Sequence, residues 1–464
     1  MNLRKLLLVC VLGAGSFAQA APPPPTFTRE QLRADLGELK RALNDMPPDL
    51  YRTASREQLE RQFQDIESAI DKSPPLDRDA AWRLFATLNP ILADGHLFVG
   101  FVDWRGDARA YLANGGRLFP FEVSVSSGCE LAVRNDKPWS NVMMPHDSAR
   151  ILEVNGVAAG EICRQMMARA HGDTPTFRAD LLSRRFWVFY WKLYGAPAAY
   201  KIEFDPGGMD TLVGRTELPE LLAIEDSFDR QFELSFVADD PKFSKSSTAI
   251  LKLGSFAWRD KDQLLAFTRA SFESLRRWQI RNLVIDLRDN GGGNDDQWIE
   301  GVMPYVATKP WRTASTYRKR VVTADPARGE VVGAVVDGEI ETWNQPQPEN
   351  PLRFTGDVYV AVGPGTYSSA VVMATVFQDF GFGKVIGTTG SVRANSSGGT
   401  RRTTLTHSGL IVVAPRFVLA RPSGAKQPEL LTPDISYPAD RSLVDFSWSP
   451  KQKEADRSRD PPHP

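Results

Sequence analysis

Three cysteines and five histidines in 464 residues leave little material for a metal centre. There is no CxxC pair, no Cys/His cluster and no HExxH run, and a structural zinc site needs about four such ligands. No metal and no cofactor is therefore expected. An excess of one charge is also missing, with 56 Lys and Arg against 57 Asp and Glu. Such balance gives no electrostatic footprint for nucleic acid or for an anionic membrane surface. Past the leader no apolar run approaches the ~20 residues of a membrane span. The GxGxxxG of "GFGKVIG" precedes a strand instead of following one, so it is not a dinucleotide fingerprint.

What is present begins with a leader. Arg4 and Lys5 precede the apolar run Leu6 to Leu12, and Ala18-Gln19-Ala20 places small residues where a signal peptidase would cut. Residues 1–20 read as a secretory signal, which predicts export, to the periplasm if the organism is Gram-negative. Cys129 and Cys163 then remain; in an oxidising compartment they form one disulfide or persist as two buried thiols.

A hydrophobic content of 42% over this length supports more than one core. Residues 21–110 open on "APPPPT" and continue as amphipathic helices with start signals at Thr28/Gln31, Ser55/Gln58 and Asp77. Residues 111–245 change to short alternating runs with an Asn155-Gly156 turn, a β-rich module. Its aromatic stretch "RRFWVFYWKLYG" is either a buried element or a ligand-facing patch. From 246 to 440 apolar strands alternate with helices, which predicts an α/β layer of largely parallel strands. The polar stretch 309–355 reads as an excursion over its surface, and 441–464 as a tail.

Two loops of this layer carry unusual residues. "DLRDNGGGND" places Gly291, Gly292 and Gly293 directly after a strand, where backbone N–H groups can converge on an anion or simply make a tight turn. In "GPGTYSSAVVMATVF" Ser368 stands at a strand-to-helix turn, suited to a nucleophile, and the Ser369 N–H lies in the first helical turn. The alternative is that Thr366, Ser368 or Ser369 merely caps that helix. A serine nucleophile needs a base. His146, His171, His407 and His463 fall in loops, turns or the tail, which leaves His96 at the entry to "LFVGF".

These residues carry a resemblance. "LVIDLRDNGGG", "VAVGPGTYSSAVVMATVFQDFG", "SGLIVVAPRF" and "ELLTPDISYP" resemble, in order, the C-terminal processing (tail-specific) peptidases, and "ADGHLFVG" is similar to their histidine-containing, tricorn-like branch. The resemblance implies a ClpP/crotonase-like α/β spiral with an N-terminal helical region and a PDZ-like module, for which "ARILEVNGVAAGEI" is the matching segment. It implies a serine peptidase acting on a peptide or protein, with Ser368 as nucleophile and His96 as base. Gly292 and Ser369 would be oxyanion donors, with Gly291 a further candidate. Glu429 would support the histidine, with Asp94 a second candidate. Where the lysine-dependent branch has its base this chain has Arg393, which cannot lose its proton. Gly95 stands where the tricorn-like branch has a serine. A peptide-binding relative without catalysis, or a hydrolase of esters or other acyl substrates, would share these features.

Overall fold

The computed structural model describes residues 25–134, 146–237, 247–388, 390–439 and 441–445; the leader 1–20 and most of the tail lie outside them. The first helix, Arg29–Asp45, starts where its sequence signal placed it. The Thr28 side chain accepts the Gln31 N–H while the Gln31 side chain accepts that of Thr28. This satisfies two donors that a helix start otherwise leaves open. Its face of Leu32, Leu36, Leu39 and Leu43 is buried, and Ser55 and Asp77 cap the next two helices, Arg56–Lys72 and Arg78–Phe85.

The β-rich region is a six-stranded antiparallel sheet whose main path runs Glu122–Val125, Leu131–Arg134, Arg150–Val154, Ala199–Asp205, Gly208–Val213, with the short strand Val157–Ala158 also pairing Arg150–Val154. Asn155 and Gly156 turn the third strand at φ 51° and 83°, a left-handed pair that these two residue types tolerate best. The aromatic stretch lies in the helix Pro175–Tyr194, where Phe186 to Tyr190 are buried. Cys129 and Cys163 are joined, with 5.4 Å between their Cα atoms.

The α/β layer is a six-stranded sheet ordered Phe232–Val237, Thr248–Leu253, Asn282–Asp286, Asp357–Val362, Lys384–Gly387, Ile435–Ser436. The first pair is antiparallel and the rest are parallel. Leu283, Val284 and Ile285 are fully buried, as expected of a strand covered on both faces. Stretch 309–355 is only partly superficial. Thr316–Arg320 and Val335–Glu339 form an exposed hairpin, but Trp311 is buried, its ring 5.6 Å from that of Trp298.

Two pairings position the site. Asn282–Asp286 and Asp357–Val362 are parallel neighbours, so the glycine loop and the Ser368 loop leave the sheet at the same edge. Phe98–Gly100, from the N-terminal region, adds antiparallel to Ile411–Ala414 of the C-terminal region, which pairs in turn with Arg401–Thr404. That addition carries His96, two residues upstream, to the C-terminal region.

Candidate active site

Ser368 precedes the helix Ser369–Phe380 with φ 53° and ψ −123°, and its side chain makes no capping bond. A non-glycine residue held at positive φ is costly, by about 1–3 kcal/mol, and persists only where its surroundings dictate it. Those surroundings are specific. Thr366 Oγ1 donates to Leu287 O at 2.7 Å and accepts the Gly363 N–H at 2.9 Å, and the Tyr367 N–H donates to Asn290 O at 2.9 Å. Ser369 is buried, with its hydroxyl between Asp295 and the Trp298 indole. Thr366 and Ser369 are therefore structural through their side chains, and Ser368 keeps its hydroxyl out of the helix cap.

The three glycines do different jobs. A Cβ on Gly292 would stand 2.6 Å from Ser368 Cβ and 2.8 Å from Tyr367 O, and one on Gly293 would strike the Phe256 backbone at 2.0 Å. Gly292 at φ 97° thus lets the two loops touch. Its N–H is not turned to a ligand, because it donates to Asn290 Oδ1 at 2.8 Å. This corrects the expectation that Gly292 supplies an oxyanion donor. Asn290, fully buried, also donates to Leu253 O and so pins the loop to the adjoining strand end. Gly291 has open space at its Cβ position and borders the cavity beside the site.

His96 sits in a relay that the sequence did not disclose. Its Nδ1 lies 3.0 Å from Ser397 Oγ, which in turn lies 2.9 Å from Asp94 Oδ1. A carboxylate only accepts, so the single hydroxyl proton of Ser397 goes to Asp94 and its oxygen accepts from His96 Nδ1–H. The lone pair is left on Nε2, the tautomer a base requires. Asp94 also accepts the His96 backbone N–H at 2.8 Å and Arg52 at 2.9 Å. Burial opposes its charge, yet Arg52 and His96 keep its pKa below the usual carboxylate value. Burial lowers the pKa of His96, only partly offset by Asp94 and Asp173. The imidazole is thus held neutral into mildly acidic solution.

Glu429 does not take the supporting role expected of it. It is largely exposed, at 62%, and accepts from Arg393 Nε at 2.8 Å. Arg393 also reaches Ala93 O at 2.7 Å, and its backbone N–H donates to Asp173 at 3.0 Å. The Arg393–Glu429 pair thus braces the segment leading to His96, and Asp94 is the carboxylate in the relay. Asp173, another residue the sequence reading missed, accepts Tyr367 Oη–H at 2.9 Å and the Gly95 N–H at 3.1 Å. Burial and nearby Asp94 raise its pKa. A Cβ on Gly95 would fall 2.5 Å from the Tyr367 ring, which explains why glycine, not serine, precedes this histidine.

Among the described residues no hydrogen bond joins His96 to Ser368. Tyr367 links them, its ring centroid 4.9 Å from that of His96 and its backbone adjoining Ser368. Both rings border a cavity of about 460 Å³, together with Gly291 and Gly365. No group of three or more His, Cys, Asp or Glu side chains placed to hold a metal ion occurs among the described residues.

No curated protein matches the chain in sequence. Mature CPAF complexed with lactacystin superposes with a TM-score of 0.61 at 14% identity, covering 88% of this chain and 94% of that one. Mature CPAF alone gives 0.58, again at 14% identity, over 88% and 92%. The photosystem II D1 C-terminal processing protease gives 0.46 at 16% identity, over 90% and 96%. Residues 247–437 match the model of peptidase family S41. That segment supplies both the glycine loop and the Ser368 turn, so the region that carries the candidate site is the part of the chain similar to peptidase family S41.

Proposed function

We propose that the protein is an exported peptidase in which Ser368 is the nucleophile and His96 its general base. The observation that carries this reading is the backbone of Ser368, held at φ 53° with a hydroxyl that caps nothing, one residue from Tyr367, whose ring packs on a histidine whose tautomer is set for proton uptake. The proton of Ser368 Oγ passes to His96 Nε2 as the Oγ–C bond forms, and the peptide carbonyl oxygen takes the negative charge. The Ser369 N–H, at the start of the helix, faces that charge. When the intermediate collapses the C–N bond breaks and the departing amine takes the proton from Nε2. Water then cleaves the acyl-enzyme by the same route. Ser397 and Asp94 position the imidazole and stabilise it when charged, the part a single aspartate plays in a catalytic triad.

Export is supported by the leader and by the Cys129–Cys163 disulfide, a bond that persists in oxidising compartments. Residues 111–245 are read as a PDZ-like module that presents the peptide to the site. The test is fluorophosphonate labelling of the wild type, Ser368→Ala and His96→Ala, with mass mapping of the labelled peptide. Label on Ser368 that is lost in both variants is the expected outcome. A folded wild type that takes no label would instead be a peptide-binding relative without catalysis.

A further inference from the structure

The cavity beside His96 carries far more positive charge than the site chemistry uses. Arg105, Arg169, Arg184, Arg185, Lys192 and Arg402 line it, and Asp103 is the lone carboxylate among its lining residues. Most of these cations are already engaged. Arg105 holds Glu225 through two bonds of 2.7 Å, Arg184 holds Asp180, and Lys192 lies 3.3 Å from Asp79. Arg169 donates to Arg83 O and to Gln165. Asp103 accepts the Gly106 N–H as a helix cap.

Arg185 differs. It stands where the helix Pro175–Tyr194 leaves helical geometry, at φ −127° and ψ 19°. Its guanidinium lies 5.0 Å over the Trp104 ring, and it makes no hydrogen bond or ion pair with any described residue. Burial, with Arg105 and Arg184 close by, pushes its pKa down to about 9, an effect that the charges of Glu225 and Asp180 only partly offset. A partly buried guanidinium with an aromatic face beneath it but no hydrogen-bond acceptor is expensive, and an incoming carboxylate relieves that cost through a planar, two-pronged contact. Arg402, exposed on the strand Arg401–Thr404, borders the same cavity, and it too has no side-chain partner among the described residues. Phe98, Phe101 and Trp104 also line this cavity, and their apolar surfaces suit an aliphatic stem.

We propose that this cavity is a specificity pocket for a carboxylate-bearing residue of the peptide, with Arg185 as the anchor. The claim that the ligand is a substrate rests on the peptidase reading; the claim that the pocket binds a carboxylate does not. The carboxylate belongs either to an acidic side chain or to a free chain terminus, and matched probes separate the two. Titration calorimetry on Ser368→Ala protein would use acetyl-Ala-Ala-Glu-amide, acetyl-Ala-Ala-Gln-amide and acetyl-Ala-Ala-Ala with a free carboxylate. One or both acidic probes should bind about tenfold or more tightly than the Gln probe. Arg185→Gln should remove that preference and Arg185→Lys keep part of it, with thermal melts showing that both fold.

Equal affinity for all three probes, or no binding of either acidic one, overturns the proposal without recourse to any Arg185 variant. A preference that survives Arg185→Gln in a folded protein overturns the assignment of the anchor. Fluorophosphonate labelling of the wild type reads the other claim separately. Carboxylate binding without labelling leaves the pocket standing and removes the peptidase reading, and labelling without carboxylate preference does the reverse.

Discussion

The hydroxyl of Ser397 has one proton and two neighbours, Asp94 Oδ1 at 2.9 Å and His96 Nδ1 at 3.0 Å. Because the carboxylate takes the proton, removing the hydroxyl leaves Nδ1–H without an acceptor and the ring free to turn or to change tautomer. Ser397→Ala should therefore slow labelling of Ser368 by roughly 10²-fold, within the range that a positioned base contributes. Its pH–rate profile should shift as well, since His96 loses a partner that favours its charged form. Ser397→Thr, which keeps the hydroxyl, should recover most of the rate. A Ser397→Ala protein with wild-type rate and profile would make the residue structural. Ser368 and His96 stand out in the sequence as candidates because each sits beside a local pattern, a strand-to-helix turn and a loop-to-strand entry. Ser397 was not, because it lies 301 residues from His96 and within an unremarkable "NSSGG". Glu429 was misassigned because a motif position does not show which way a side chain leaves the backbone.

Secondary elements were more legible than their mutual placement. The Thr28, Ser55 and Asp77 caps are local devices, readable within four residues, and all three start the helices they announce. The parallel strands were legible as apolar runs because both of their faces are covered. Pairing of Phe98–Gly100 with Ile411–Ala414 joins segments far apart in the chain, and no period in the sequence reports it. The disulfide was equally undecidable, since spacing cannot tell a bond from two buried thiols. It ties the turn before Leu131–Arg134 to the helix Ala159–Met167, across 34 residues. Closing a loop of that size restricts the unfolded chain, an effect worth about 2–4 kcal/mol. Cys129→Ser/Cys163→Ser protein should unfold at a lower denaturant concentration by a corresponding amount, and reduction should lower the wild type alike. A midpoint unmoved by either treatment would show that the unfolded chain gains nothing from the cut.

Across the whole molecule the buried histidines tie stability to pH. His171 is stacked on Phe98 with ring centroids 4.0 Å apart, and its Nδ1 has no partner among the described residues. Burial lowers its pKa from 6.5 to about 3; Arg185 and His96 push the same way, while a bond to Gly95 and the charge of Asp94 oppose them. The unfolded chain therefore takes up a proton near pH 6.5 while the folded one does not, so stability is intact above that pH and is lost as pH falls toward 3. Each tenfold difference in proton affinity is worth about 1.4 kcal/mol, and His96 contributes in the same direction. Asp173 and Asp180, whose pKa values burial raises, act in the opposite sense and flatten the total curve. The His171 contribution is isolated by difference: His171→Phe keeps the stack on Phe98 and removes the titration. Denaturant unfolding at pH 7.5 and at pH 4.5, the latter about two units below the unfolded value of 6.5 so that about two tenfold steps of the penalty have developed, should show the variant losing less stability than the wild type by on the order of 2 kcal/mol. Parallel losses in the two proteins would mean that His171 takes up its proton in the folded state as readily as in the unfolded one.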